Sequence, residues 1–161
     1  MPPVFTATLA ERISKLSGIP AKEAVHGEIL SKDNIYIVPG NYHLRLEGSV
    51  ERTTLLLDQT EQINSVRPAV DPTFESASKI FKEKCLAFVL TGMGADGKDG
   101  ATYVKNNNGT VIIQEEKSCV VFGMPGAVFA TGHYDMIATP DEIIRILQTK
   151  ASFAPLGGVH G

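Results

Sequence analysis

CLAFVLTGMGADGKDG, residues 85–100, is the stretch whose reading decides the fold. Cys85 to Leu90 is an unbroken apolar run, and its length and flanks fit a strand covered on both faces, as in a parallel sheet. Thr91-Gly92-Met93-Gly94-Ala95-Asp96-Gly97 follows, with glycines at 92, 94 and 97. Glycine lets a backbone turn sharply and come close to other groups. Ala101 to Val104 then opens a helical pattern. Strand, glycine turn and helix in that order is where α/β proteins keep their chemistry, at the carboxyl end of a strand. Asp96 sits inside that turn, a placement that suits a working carboxylate.

Downstream, the helix breaks at Asn106-Asn107-Asn108-Gly109, and Thr110 to Gln114 is a second apolar, β-branched strand. Strand–helix–strand is a βαβ unit, so the two strands are expected to be parallel with a right-handed crossover. Pro125 opens a short helix that Gly132 ends, and Ile137-Ala138 reads as a strand end. Thr139-Pro140-Asp141-Glu142 is a capping box with Pro at the first helical position. Ile143, Ile144, Ile146 and Leu147 are expected on the inner face of that last helix. Pro155 to Gly161 reads as a frayed tail.

Upstream, Asp71-Pro72 starts a helix with Asp71 as its N-cap and Phe74, Ala77, Ser78 and Phe81 on one face. Asn34 to Val38 is a strand closed by Pro39-Gly40. His43 to Leu46 and Thr53 to Leu57 are two strands of a hairpin around Glu47-Gly48-Ser49. At the start, Phe5, Leu9, Ile13 and Leu16 fall at helical spacing, with Thr6 as cap and Gly18 and Pro20 as stop. That helix has an apolar face, yet no strand precedes it.

The 161 residues are 43% hydrophobic with a formal net charge of −3, enough chain for one domain with a core. Residues 1–150 are read as the domain and 151–161 as the tail. Mild acidity without a basic cluster gives no support for a nucleic-acid partner. No apolar run reaches spanning length, so no membrane insertion is expected, and no signal-peptide core opens the chain. Cys85 and Cys119 have no metal-type spacing and read as buried, reduced thiols of a cytoplasmic protein. No metal and no cofactor are expected.

Spacing admits two roles for Asp96. It could cap the next helix, stabilising by about 1 kcal/mol, or it could orient a histidine as in a Ser-His-Asp arrangement. The amides of the glycine turn could serve as oxyanion donors. Gly92, Gly94 and Gly97 also spell G-x-G-x-x-G after a strand and before a helix, with Glu115 at the end of the next strand, the formal dinucleotide-binding pattern. Against it, Asp96 would set a negative charge where a pyrophosphate must sit. His26, His43, His133 and His160 occur singly and read as surface or turn residues. Ser118 and Cys119 have no candidate base beside them in sequence, and no G-x-S-x-G turn exists. Arg67 reads equally as helix lead-in or site arginine.

Several stretches together resemble the catalytic domain of the CheB-type chemotaxis protein-glutamate methylesterases. Met1-Pro2-Pro3 with Phe5-Thr6 and Ala10-Glu11-Arg12 is similar to the family's HMPP-x-FT…FAERL segment, and Ala24 to Glu28 to its A-x-x-G-E turn. Ile35 to Gly40 with His43-Leu44 resembles VYIAPGG-x-HL, and Arg67 to Asp71 resembles RPSVD. Leu90 to Gly97 matches LTGMGxDG, and Ser118 to Pro125 matches SCVVFGMP. These run in the family's order from Met1 to about Leu147.

The resemblance implies a doubly wound, mostly parallel α/β sheet with helices on both faces. It implies hydrolysis of glutamate methyl esters on methyl-accepting chemotaxis receptors, with glutamine deamidation as a second reaction, by a Ser-His-Asp triad. Asp96 matches the triad aspartate, and Met93 the loop methionine whose amide is an oxyanion donor. The family's serine turn, GASTGG, and the histidine ahead of MPP have no match here. The expectation is therefore an N-terminally truncated domain lacking the family's first strands, inactive by itself and prone to self-association through an exposed sheet edge. A receptor-binding remnant without catalysis is the alternative.

Overall fold

The apolar run at 86–89 pairs with the run at 110–114, and that pairing organises the carboxyl-terminal half of the computed structural model, which describes residues 1–150. β5 (Leu86–Val89), β6 (Thr110–Gln114) and β7 (Met136–Ala138) form a three-stranded parallel sheet in that order. α3 (Lys98–Asn106) connects β5 to β6, as the βαβ reading requires. α4 (Met124–Thr131) lies between β6 and β7, and α5 (Pro140–Lys150) follows.

Helices cover the sheet from both faces. Ala87 and Val89 of β5 and Val111 and Ile113 of β6 pack with Ala101 and Val104 of α3 and Val128 of α4. On the opposite face Ile112 and Ala138 pack with Ile143 of α5. β6 is buried on both sides, whereas Leu86 and Phe88 of β5 are only half-buried. The expectation of a fully covered β5 thus holds for one face. On the other face α5 leaves a groove of about 880 Å³ lined by Leu86, Phe88, Ile112, Met136, Ile146 and Leu147.

The amino-terminal half is built differently. α1 (Pro3–Ser17) packs on a two-stranded parallel sheet of β1 (Ala21–Glu23) and β2 (Ile35–Ile37). β3 (His43–Gly48) and β4 (Thr53–Asp58) form the antiparallel hairpin, its turn entered through Gly48 at φ 114°. α2 (Val70–Phe81) bridges the halves, touching both β3 and α3. The strands thus lie in three small sheets, parallel except for the hairpin. This is an α/β fold.

Local chemistry explains the ends. Thr139 and Glu142 form the expected capping box, each side chain accepting from the other's amide at 3.1 and 3.2 Å. Gly18 and Gly132 end α1 and α4 in the left-handed conformation that a side chain would resist.

Three helix expectations need correction. α1 begins at Pro3, not after Thr6, because proline's fixed φ and missing N–H suit the first turn. Its buried positions are Thr6 and Ala10, while Phe5 and Leu16 are exposed. The Thr6 hydroxyl instead donates to Glu23 and accepts from the Gly40 amide, tying α1 to β1 and to the turn after β2. On α5, Ile144 faces solvent, one residue round from the buried Ile143. The 151–161 tail lies outside the described residues.

Gly100 sits where α2 and α3 meet most closely. A Cβ there would lie 2.8 Å from Phe74 Cβ and 2.9 Å from Asp71 Oδ1. In an ordinary helix interior, Gly→Ala stabilises by about 1 kcal/mol. Here the overlap wins, and Gly100→Ala is expected to destabilise by about 1–3 kcal/mol. Urea denaturation measures it, and a gain in stability would contradict this account of the contact.

Candidate active site

The glycine turn leaves β5 at its carboxyl end and is held from two sides. On one side the segment 118–124 grips it. Gly92 N–H donates to Val121 O at 3.0 Å, and the amides of Gly123 and Met124 donate back to Gly92 O at 3.1 and 2.9 Å. The Thr91 hydroxyl donates to Val121 O and accepts from Val121 N–H, both at 3.0 Å. Buried Gln114, the last residue of β6, accepts from Thr91 N–H at 2.8 Å and donates to Ser118. The contact tolerates no side chain at Gly123, since a Cβ there would lie 2.7 Å from Gly92 O and 2.9 Å from Gly94 N.

On the other side stands the first turn of α2. The Asp96 carboxylate accepts Val70 N–H with both oxygens, at 2.8 and 3.0 Å. It does not cap α3, whose N-cap is Gly97. Asp71 is likewise not the cap of its own helix, where Ala69 holds that place. Its Oδ1 instead accepts the amides of Gly97 and Gly100 at 2.9 and 2.8 Å, capping α3. Each helix start is therefore satisfied by the other's aspartate. Local capping rules read both aspartates onto the wrong helix; nothing in local spacing signals an exchange across 26 residues.

Electrostatics follow from this placement. Burial pushes the Asp96 carboxyl above the ordinary aspartate range, against the pull of the Val70, Asp71 and Gly97 amides. Asp71 is raised by burial and by the nearby charges of Asp96 and Asp99, against the Gly100 and Gly97 amides.

The dinucleotide reading of Gly92, Gly94 and Gly97 loses its footing here. The amides of Gly97 and Gly100, which an anion at the start of α3 would need, already donate to Asp71. Two carboxylates stand where a pyrophosphate would bind.

The other candidates have structural partners. His43 is fully buried, contrary to the surface reading. Its Nδ1 accepts Ala69 N–H at 3.2 Å and its Nε2 lies 2.9 Å from Glu61 O, which fixes the neutral Nε2–H tautomer and leaves neither nitrogen free. His26 Nδ1 accepts Leu57 N–H, and His133 Nδ1 lies 2.8 Å from the Thr102 hydroxyl; both residues are exposed. His160 is outside the described residues. Ser118 Oγ donates to Glu115 O and touches no base. Cys85 and Cys119 are free and half-buried, and burial raises both thiols. Arg67 spans Asn41 Oδ1 and the carbonyls of Gln59 and Thr60, a structural tie. Met93 is 83% exposed at the turn's apex, and among the described residues its amide donates to no acceptor.

The profile described as CheB methylesterase matches residues 1–147. The chain belongs to the CheB methylesterase family. A protein-glutamate methylesterase/protein-glutamine glutaminase of Thermotoga maritima is 42% identical over 151 residues, covering 91% of this chain and 44% of that protein. The Pyrococcus horikoshii protein of the same description is 36% identical over all of this chain and 44% of its own length. The crystal structure of the Thermotoga maritima CheB methylesterase catalytic domain superposes with a TM-score of 0.85 at 43% identity, covering 91% of this chain and 79% of that one. This CheB-family chain thus spans less than half the length of these curated relatives.

Asp96 carries a pH-dependent term in stability. Its proton is bound more tightly in the folded state, so its stabilisation is complete below the unfolded value of 3.8 and is lost as pH rises through the raised folded pKa. Relative to Asp96→Asn, wild type is expected to lose stability as pH rises above 3.8. Urea titrations of both proteins across that range provide the measurement; a difference that is flat or rises with pH would contradict the burial.

Proposed function

We propose that this chain carries the acid and the oxyanion loop of a protein-glutamate methylesterase domain, a carboxylic ester hydrolase acting on glutamate methyl esters of methyl-accepting chemotaxis receptors. The observation behind this reading is the half-buried Asp96 carboxylate at the carboxyl end of β5, fixed on the α2 amide. Three residues before it stands the amide of Met93, which has no acceptor among the described residues.

In the proposed reaction a serine hydroxyl attacks the ester carbonyl and a histidine takes its proton. The histidine then returns that proton to the departing methoxide, giving methanol, and water hydrolyses the acyl-enzyme by the same route. Asp96 holds the imidazole's orientation and stabilises the imidazolium. The Met93 amide donates to the oxyanion of the tetrahedral intermediate. Neither serine nor histidine is supplied by the described residues around Asp96, since His43 has both nitrogens engaged and Ser118 has no base.

Met1 O lies so close to Gly40 that a Cβ there would be 2.5 Å from it. The next residue, Asn41, donates its amide to Arg67 O, and three residues on, Val70 donates to Asp96. Met1 therefore lies against the turn after β2, which is tied through Arg67 to the segment that leads into α2.

The 161-residue chain alone is expected to release no methanol from methylated receptor. Joined behind the part of the Thermotoga maritima catalytic domain that it does not match, it is expected to turn over, and Asp96→Asn in that hybrid should lower kcat by about 10⁴-fold. Methanol release by the chain alone, abolished by Asp96→Asn, would place the nucleophile within these residues and overturn the assignment. A hybrid indifferent to Asp96→Asn would remove Asp96 from the triad.

A further inference from the structure

We infer that Asp71 is the positioning residue of the Asp96 carboxylate. The inference rests on the reading of Asp96 as the acid of the hydrolytic site.

The geometry is a swap between two consecutive pairs. On α2, Val70 supplies an N–H and Asp71 a carboxylate. On the loop, Asp96 supplies a carboxylate and Gly97 an N–H. Val70 N–H meets Asp96 at 2.8 Å, and Gly97 N–H meets Asp71 at 2.9 Å. The Asp96 side chain is therefore fixed by one residue of α2 and the backbone immediately after it by the next. Gly100 N–H, also on Asp71 Oδ1 at 2.8 Å, extends the hold one turn into α3.

Asp71 is 6% exposed and, among the described residues, its carboxylate has no cationic partner; its other contact is Asn64 Nδ2 on Oδ2 at 3.3 Å. Burying a carboxylate without a counter-ion beside a second carboxylate is unfavourable unless hydrogen bonds offset it. Here the start of α3 provides them, with the helix dipole behind them. The titratable groups facing the pair are Asp99 on α3 and His43 at the start of β3, and His43 is neutral with both nitrogens occupied.

Asp71 therefore does two things to Asp96. It sets the loop's position, and the repulsion between the two carboxylates, which raises Asp71, acts on Asp96 by reciprocity. The two effects separate by substitution. Asp71→Asn keeps an oxygen for the Gly97 and Gly100 amides and removes the charge. Asp71→Ala removes both.

The test is a carboxyl-carbon NMR titration of Asp96 in the 161-residue chain, with amide exchange read at Gly97 and Gly100. With Asp71→Asn the Asp96 midpoint is expected to fall while both amides stay protected. With Asp71→Ala the two amides are expected to exchange about tenfold faster or more. In the hybrid, Asp71→Ala should lower kcat about 10²-fold with KM unchanged, and Asp71→Asn should recover most of that rate while shifting the acid limb of the pH–kcat profile. An Asp96 midpoint unmoved by Asp71→Asn overturns the inference. So does a loss of kcat in Asp71→Ala matched by an equal loss in folded fraction. If Asp96→Asn leaves the hybrid active, the triad reading falls by itself, and the titration still decides whether Asp71 governs Asp96.

Discussion

Two helices begin within reach of each other, and each lends the other its carboxylate. A helix start leaves amide groups without partners, and a buried start must find acceptors for them. α2 and α3 solve this jointly, Asp96 on Val70 and Asp71 on Gly97 and Gly100. A cap taken from the helix's own sequence would stabilise each helix separately. The exchanged caps instead make the position of one helix a condition for the other. The arrangement needs close approach, hence a glycine at 100, and it brings together two carboxylates that burial raises, Asp71 also by the charge of Asp96. The loop between β5 and α3 inherits this rigidity directly, because Asp96 and Gly97 are themselves half of the exchange.

The far side of that loop is fixed by a second constraint of a different kind. Gln114, Thr91 and Val121 form a hydrogen-bonded bracket, and Gly92 and Gly123 bring two backbones into contact. The two most distinctive stretches of the sequence, Leu90–Gly97 and Ser118–Pro125, are therefore one structure. Met93 is left between two anchored ends, with its side chain in solvent and its amide uncommitted. A donor that costs no reorganisation when charge develops beside it is what the oxyanion role proposed for Met93 would require, and the loop is tied at both ends.

Periodic and local signals were legible in the sequence. The apolar runs at 86–89 and 110–114 and the capping box at Thr139 and Glu142 are each written within a few residues and form as read, and the hairpin pairs as expected although its turn falls at Ser49–Arg52, after Gly48. Asp96 could be picked out by its place after a strand. What the sequence hid was long-range partnership. Asp71 followed by proline has the local form of an N-cap, but Ala69 occupies that position and the carboxylate turns to a helix 26 residues on. His43 stands alone in sequence like a surface histidine, yet it is buried because the Ala69 amide and the Glu61 carbonyl arrive from two other segments to satisfy it. On α1 the expected stripe of Phe5 and Leu16 gives way to Thr6 and Ala10, because Thr6 can satisfy its hydroxyl internally against Glu23 and Gly40.

These long-range ties share one destination. His43 holds the Ala69 amide, which sets the N-cap of α2; the next amide, Val70, holds Asp96; the next carboxylate, Asp71, holds Gly97. Three consecutive residues of α2 thus transmit the placement of the hairpin strand β3 to the loop at the end of β5, although these belong to separate sheets. A buried imidazole, a buried carboxylate and a half-buried one are costly choices for a contact that apolar side chains could have filled. Polar groups differ from apolar ones in being directional: each accepts or donates along one line. The cost is thus consistent with a need to fix one carboxylate in orientation as well as in place, and under the proposed function that carboxylate is Asp96, where the ties converge.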